Sequence, residues 1–141
     1  MSLTLVRSYF RTRMNSLNYK EWKDGFNIEN IPSSLLNGSY HILCGSIDVN
    51  ETGPKHISFD YPIILRLFLK GFRKPADAID SGIEKGENII KDIVSVTNRT
   101  SISCIKNVLC NNIEIIELSD TNDNSIIVEM NYTIKIIIEL S

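Results

Sequence analysis

The sequence contains few of the residues from which catalytic and metal sites are usually built. It has three cysteines and two histidines in 141 residues, and neither histidine stands in a ligand pattern with cysteine or carboxylate. Cys44, Cys104 and Cys110 are spaced unlike any metal knuckle, so we expect reduced cysteines packed inside an intracellular protein. Phosphate loops, dinucleotide fingerprints and nucleophile elbows are missing as well. We therefore predict no metal, no cofactor and no enzymatic activity.

Long hydrophobic runs are also missing, and charge is close to balance. No stretch reaches the length needed to span a membrane, and arginines interrupt the apolar positions of residues 1–14, unlike a signal peptide. The formal net charge is −2 and hydrophobic residues make up 43% of the chain, which are ordinary values for a soluble globular protein. We expect a single domain over residues 1–141 with no membrane contact.

The clearest pattern in the chain is a long strand followed by a helix. In Ile57–Lys70 the odd positions are apolar and most even positions are polar, with Ile64 and Phe68 as exceptions, which predicts a strand with one face on the core. Pro62 lacks a backbone donor, so we expect it at an edge or a bulge. After a break, Pro75 suits the first turn of a helix. The stripe of this helix predicted to face the sheet is Ala76, Ile79, Ile83, Ile90 and Val94.

Shorter patterns predict the other elements. They are a helix over about 3–18, a connector over 19–36, a strand over about 39–49, a loop over 50–55, a strand over 102–118, a turn over 119–124 and a strand over 125–140. The alternation slips at Ile115 and Ile116, which predicts a bulge or twist. Gly82 and Gly86 inside the second helix predict close packing on the sheet. The order α-β-β-α-β-β predicts an α+β fold in which two helices pack on one face of a four-stranded antiparallel sheet, with the sheet-and-helix core over 37–141.

Charge is distributed unevenly along the chain. Residues 1–25 carry five cationic and two acidic side chains, a net of +3, whereas residues 113–141 carry six acidic side chains and one lysine, a net of −5. The basic segment has Tyr9, Tyr19 and Trp22 interleaved, a combination that suits single-stranded nucleic acid. We favour the other interpretation, a solvated helix face followed by a loop whose aromatic residues anchor it to the core, because a nucleic-acid binder rarely has an acidic chain overall.

The outer face of the predicted sheet, away from the helices, is partly apolar. The apolar side chains expected there are Ile64, Phe68, Ile127 and Ile137. They are either covered on assembly with a partner or scattered exposed residues of the ordinary kind.

A catalytic triad can be assembled on paper, but any strand-rich chain permits one. Its members would be Ser46, His41 and Asp60. We expect His41 to be a partly exposed strand residue on the side opposite Tyr40, and His56 to be solvated in a loop.

Two parts of the chain carry a resemblance to a known family. The first is the connector with its strand entry, Trp22-Lys-Asp-Gly-Phe-Asn-Ile-Glu-Asn-Ile-Pro32 and Leu35-Leu-Asn-Gly-Ser-Tyr-His-Ile42; the second is the strand-to-helix unit from Lys70 to Ile93. With these parts and its α-β-β-α-β-β order, the chain resembles the tail terminator and tail-completion proteins of long-tailed bacteriophages.

That resemblance implies a structural virion protein without catalytic residues or cofactors. Its subunits would form a homo-oligomeric ring, usually a hexamer, that caps the tail tube and joins it to the head connector, with nucleic acid present only as DNA passing through. The implied location is the tail-neck region of the virion, and the host cytoplasm during assembly. The residues expected at subunit or partner contacts are Arg7, Arg11, Arg13, Trp22, Glu51, Lys55, Asp120, Asp123, Glu129 and Lys135. The alternative is a ferredoxin-like nucleic-acid-binding module that uses the basic N-terminal helix.

Overall fold

The computed structural model describes residues 2–26, 29, 31–118 and 124–139, with residues 2, 3, 51 and 52 described by their backbone alone. Within these ranges the chain is a mixed α+β fold with three helices and an open six-stranded sheet. The elements are α1 (Ser2–Ser16), β1 (Lys20–Glu21), β2 (Ser39–Cys44), β3 (Asp48–Gly53), β4 (His56–Leu69), α2 (Pro75–Ile93), α3 (Val96–Arg99), β5 (Ile105–Glu117) and β6 (Ile126–Glu139).

The sheet has six strands in place of the predicted four. Its order is β1-β2-β4-β6-β5, and β3 also pairs with β4, next to β2. The two strands beyond the predicted four are β1 and β3. They show no clear hydrophobic pattern in the sequence, because β1 is two residues long and β3 is mostly polar. The predicted antiparallel neighbours β2 and β4, and β5 and β6, do pair in that way. The α+β class is confirmed, whereas the strand count and the simple two-hairpin topology were wrong.

The centre of the sheet is the long antiparallel pair of β4 and β6. Its ladder runs without a break from His56 opposite Glu139 to Leu69 opposite Ile126. The odd residues of β4 and the even residues of β6 share one face, and they form one core cluster with the buried residues of α1 and α2. The ring of Phe10 in α1, for example, packs edge-on against Tyr132 in β6, with 5.1 Å between ring centroids. Both long helices therefore cover one face, as predicted.

Pro62 lies in a central strand, opposite an interruption in its neighbour. Cys44 pairs with Ile63 and Asp48 pairs with Asp60, so the three residues between β2 and β3 face only two residues of β4. Gly45 N–H donates to the Pro62 carbonyl at 3.0 Å. The donor that proline lacks thus falls where the ladder is already broken. Beyond this break the predicted loop over 50–55 was wrong, since β3 continues to Gly53 and forms a hairpin with β4.

Helix α2 packs on the sheet through its smallest residues. Its buried residues are Ala78, Gly82, Gly86, Ile89 and Ile93. The predicted stripe was therefore wrong by about one position, and Ile83 is 43% exposed. A Cβ at Gly82 would lie 2.6 Å from Ile126 Cδ1 and 3.1 Å from Ile115 Cδ1. The missing side chains allow the helix backbone to approach β5 and β6 closely, as expected for the two glycines.

The connector between β1 and β2 covers one end of the opposite sheet face. A second buried cluster forms there from Phe26, Leu35, Phe68, Leu118 and Ile127. The prediction that Phe68 and Ile127 point away from the helices is confirmed. Neither interpretation, cover by a partner on assembly or scattered exposure, holds for these two residues, because the chain's own connector buries them, with Ile127 at 0% exposure.

This second cluster also explains the apparent slip in β5. Ile115 packs in the core under the helices, and Ile116 packs against the connector cluster on the other face. Both faces are apolar here because both are covered. The register of β5 and β6 shifts elsewhere, between Ile105 and Asn107 and between Cys110 and Asn112, so the predicted site of the bulge was wrong.

Candidate functional site

Two of the three predicted interface arginines are bound within the chain. Arg11 Nε donates to the Glu21 carboxylate at 2.9 and 3.1 Å. Arg13 donates to both carboxylate oxygens of Asp92, at 2.6 and 2.8 Å, which ties α1 to the end of α2. The Arg13 pair uses two donors and two acceptors, and such two-point guanidinium pairs are strong and fixed in geometry, whereas Arg11 uses Nε alone. Arg13 is consequently a structural residue of the helix layer, and Arg11 is only partly available to a partner.

Arg7 belongs to a groove between α1, β1, the start of the connector and β2. The groove consists of two adjoining pockets of about 590 and 710 Å³ that share Arg7 and Lys23 in their lining. Five cationic side chains and two carboxylates line them: Arg7, Arg11, Lys20, Lys23 and Arg66, with Glu21 and Asp24. We refer to these seven residues with His41 as the basic groove. Among the described residues Arg7, Lys20 and Lys23 form no ion pair, so the groove carries uncompensated positive charge.

His41 lies in the wall of the basic groove and is more buried than predicted. Only 7% of its surface is exposed, because the Phe26 ring covers it at a centroid distance of 4.6 Å. Burial, with the nearby Arg66 guanidinium, lowers the pKa of His41 below its ordinary value of 6.5. The imidazole is therefore neutral at pH 7, and neither Arg7 Nε nor His41 Nε2 has a hydrogen-bond partner among the described residues.

The aromatic residues of the basic segment serve the core more than a stacking surface. Tyr9 is buried against α2, where its hydroxyl donates to the Ile93 carbonyl, and burial raises the pKa of Tyr9 to about 12. Trp22 packs beside the connector cluster and is only partly exposed. Tyr9 and Trp22 therefore anchor the basic segment to the rest of the fold. The predicted role in stacking on nucleic-acid bases is wrong for Tyr9.

The remaining predicted interface residues are described only in part. Glu129 accepts from Arg66 Nε at 2.9 Å on the outer face of the sheet. Lys135 is exposed on the same face, and Lys55 is exposed in the turn between β3 and β4. Asp120 and Asp123 lie outside the described residues, as does the side chain of Glu51. The role of these residues at an interface stays a prediction.

A different acidic surface lies on α2. Its four carboxylates recur at intervals of three and four residues and are all exposed: Asp77, Asp80, Glu84 and Glu87. That spacing places them along one face of the helix; we call them the acidic stripe. The spacing is visible in the sequence itself.

The structure does not assemble the catalytic triad that could be written down from the sequence. His41 lies opposite Arg66, six residues along β4 from Asp60, a separation of about 20 Å along an extended strand. The triad that could be written down with Ser46 is therefore not brought together. Among the described residues no group of three or more histidine, cysteine or acidic side chains could hold a metal ion, and no helix is long and apolar enough to cross a membrane.

The basic groove and the acidic stripe can each associate with a partner of opposite charge. Comparison with protein-family models finds no match for this chain, and comparison with curated proteins finds none either.

Proposed function

We propose that this chain is a structural subunit of a homo-oligomeric ring, of the tail terminator or tail-completion kind, that caps a phage tail tube and meets the head connector. The observation that supports the proposal is a sheet with two unlike open sides. On one side lie the short strands β1 and β3, and on the other lies the 13-residue β5. Unlike sides favour head-to-tail contacts between copies, and such contacts close into a ring when the rotation between subunits permits.

Strand β5 has the properties of a contact edge. Among the strands that the structure describes it pairs only with β6, and it exposes two large apolar side chains, Leu109 at 52% and Ile113 at 38%. A long open edge is a template for pairing with another chain, and bulges are one means by which proteins restrict such pairing to the correct partner. The register shifts of β5 fit an edge reserved for a specific neighbour.

The ring is tested by the mass of the protein in solution. Light scattering behind a sizing column, over a series of concentrations, should give one ring-sized mass, and negative-stain images should show annuli. Leu109→Lys should weaken this assembly without unfolding the monomer. Val96→Lys is the matched control, because Val96 is 62% exposed on α3. A strict monomer, or a symmetric dimer that grows no further, would contradict the proposal.

A nucleic-acid-binding module is the second candidate, and the basic groove is the observation that favours it. Its cations Arg7, Lys20 and Lys23 could contact phosphates, whereas Arg13 is held by Asp92. Retention of a single-stranded oligonucleotide that falls steeply with salt would support this function. In the ring proposal nucleic acid is only DNA that passes through.

A further inference from the structure

We infer that the basic groove of one subunit binds the acidic stripe of α2 on the next subunit, so that the groove's partner is a second copy of this chain. This inference rests on the proposed ring and names the contact that would close it. The groove and the stripe carry opposite charges, and they do not bind each other within one subunit.

The basic groove contains cations without ion pairs and a buried donor without a hydrogen bond. Lys20 and Lys23 are exposed and form no ion pair with any side chain that the structure describes. Arg7 Nε is a buried donor without a described partner. An unpaired buried donor is unfavourable until a partner supplies the missing bond. Several carboxylates entering together would match Arg7, Lys20 and Lys23.

The acidic stripe destabilises the helix of an isolated subunit. Like charges four residues apart, such as Asp80 and Glu84, destabilise a helix. The positive N-terminal end compensates Asp77, which lies in the first turn, but this effect fades beyond that turn. Glu84 lies in the middle of α2, outside its reach, whereas Glu87 has Lys91 four residues later on the same face. A cationic partner surface would remove the repulsion that the chain itself leaves.

The two surfaces lie on opposite sides of the molecule. The basic groove is lined by α1 and by β1 and β2, at one edge of the sheet. Helix α2, with the acidic stripe, packs over β6 and β5 at the other edge. A patch and its complement at opposite edges cannot meet within one subunit, but they meet between neighbours arranged head to tail.

A protein partner suits the groove better than nucleic acid does. Glu21 and Asp24 also line it, and carboxylates among the cations oppose a run of phosphates. The acidic stripe is followed on the same face by Lys91, whose charge can pair with these carboxylates. The groove and α2 are therefore complementary in both signs.

A charge exchange between the two surfaces tests the contact. The groove variant is Lys20→Glu with Lys23→Glu, and the stripe variant is Asp80→Lys with Glu84→Lys; all four positions are exposed. Each variant alone should associate at least about tenfold more weakly than the wild type, since like charges then face each other across the contact. An equimolar mixture should regain wild-type assembly as a ring of alternating variants, which closes only with an even number of subunits.

The control variant is Arg73→Glu with Lys74→Glu, which makes the same charge change at exposed sites outside the groove, the acidic stripe and β5. It should assemble like the wild type, and circular dichroism should show that all variants are folded. Wild-type rings with variants that assemble equally well, or with no rescue on mixing, would overturn this contact and leave the ring proposal standing. A wild type that stays monomeric would overturn both. Binding of a single-stranded oligonucleotide, lost in the groove variant but not in the stripe variant, would assign the groove to nucleic acid.

Discussion

Replacing Gly82 with alanine should destabilise the fold, although alanine is the better helix former. By helix propensity alone, the change from glycine to alanine stabilises a helix interior by about 1 kcal/mol. The new methyl would lie 2.6 Å from Ile126 Cδ1, 3.1 Å from Ile115 Cδ1 and 3.3 Å from Val128 Cγ2. Both Ile126 and Val128 are fully buried, so they have little room to move. Overpacking a core costs about 1–3 kcal/mol, and with contacts this close we expect the upper half of that range.

The net expectation is a loss of about 1 kcal/mol in the free energy of unfolding, obtained by subtracting the helix gain from the packing loss. For a chain of this size the melting temperature should fall by about 4 °C. Urea unfolding followed by circular dichroism measures the free energy directly. Gly86→Ala is the comparison within the same helix. Its nearest neighbour is the Cδ1 of Ile113, which is partly exposed on the edge strand and can turn away. We expect Gly86→Ala to be near neutral or stabilising.

A double-mutant cycle identifies the atom responsible. Ile126→Val removes the methyl nearest to the new Cβ and, in the wild-type background, should cost about 0.5–1.5 kcal/mol. In the Gly82→Ala background it should cost about 1 kcal/mol less, because it also relieves the overlap. Additive effects within about 0.5 kcal/mol, or a Gly82→Ala protein more stable than the wild type, would refute the close packing of α2 on β6.

Three further predictions concern the connector, the helix layer and the groove wall. Ile127→Ala should lower the free energy of unfolding by about 2–4 kcal/mol in urea unfolding, as for a buried core residue; a surface-like loss under 0.5 kcal/mol would mean that the connector does not cover it. Asp92→Asn should cost about 1 kcal/mol, since it breaks the paired contact with Arg13, and an unchanged melting temperature at low salt would disprove that role. The pKa of His41 is lowered in the fold by burial and by Arg66, so the unfolded chain binds more protons and stability should fall between about pH 7 and about pH 5. His41→Leu should flatten this dependence, and an equal slope in both proteins would contradict it.

Most elements of the fold were predictable because their periodic patterns are long. The odd positions of β4 and the even positions of β6 give uninterrupted apolar rows, and α1 and α2 begin and end close to their predicted residues, whereas the four-residue α3 was not predicted. Patterns of this length depend on burial of one face and are hard to mistake. The added strands were not predictable, since β1 is two residues long and β3 is polar on an edge, where no face needs to be apolar.

The errors about faces share one physical cause. Periodicity ranks positions by side-chain size, so Ile83 was assigned to the buried stripe, whereas the helix approaches the sheet through Gly82 and Gly86. Likewise Phe68 and Ile127 were placed on the correct outer face, but the connector that covers them has no period to reveal its path. Coverage by an irregular segment is a tertiary property that sequence patterns do not encode.

The candidate site was only partly predictable, for a related reason. The sequence shows which charges are present but not which are paired within the chain. Arg7 remained open, while Arg13 was taken by Asp92, 79 positions away in the sequence. The acidic stripe could have been found from its spacing alone, had the four carboxylates been compared with the helix period.

The measurement that tests the ring most directly is the solution mass of the wild type at low and at high salt, by light scattering behind a sizing column. The proposal predicts one closed species of fixed stoichiometry that gives way to monomer as salt is raised, because charge pairs at an exposed contact are screened. A monomer at every concentration and salt, or a two-fold dimer as the final species, would contradict the ring.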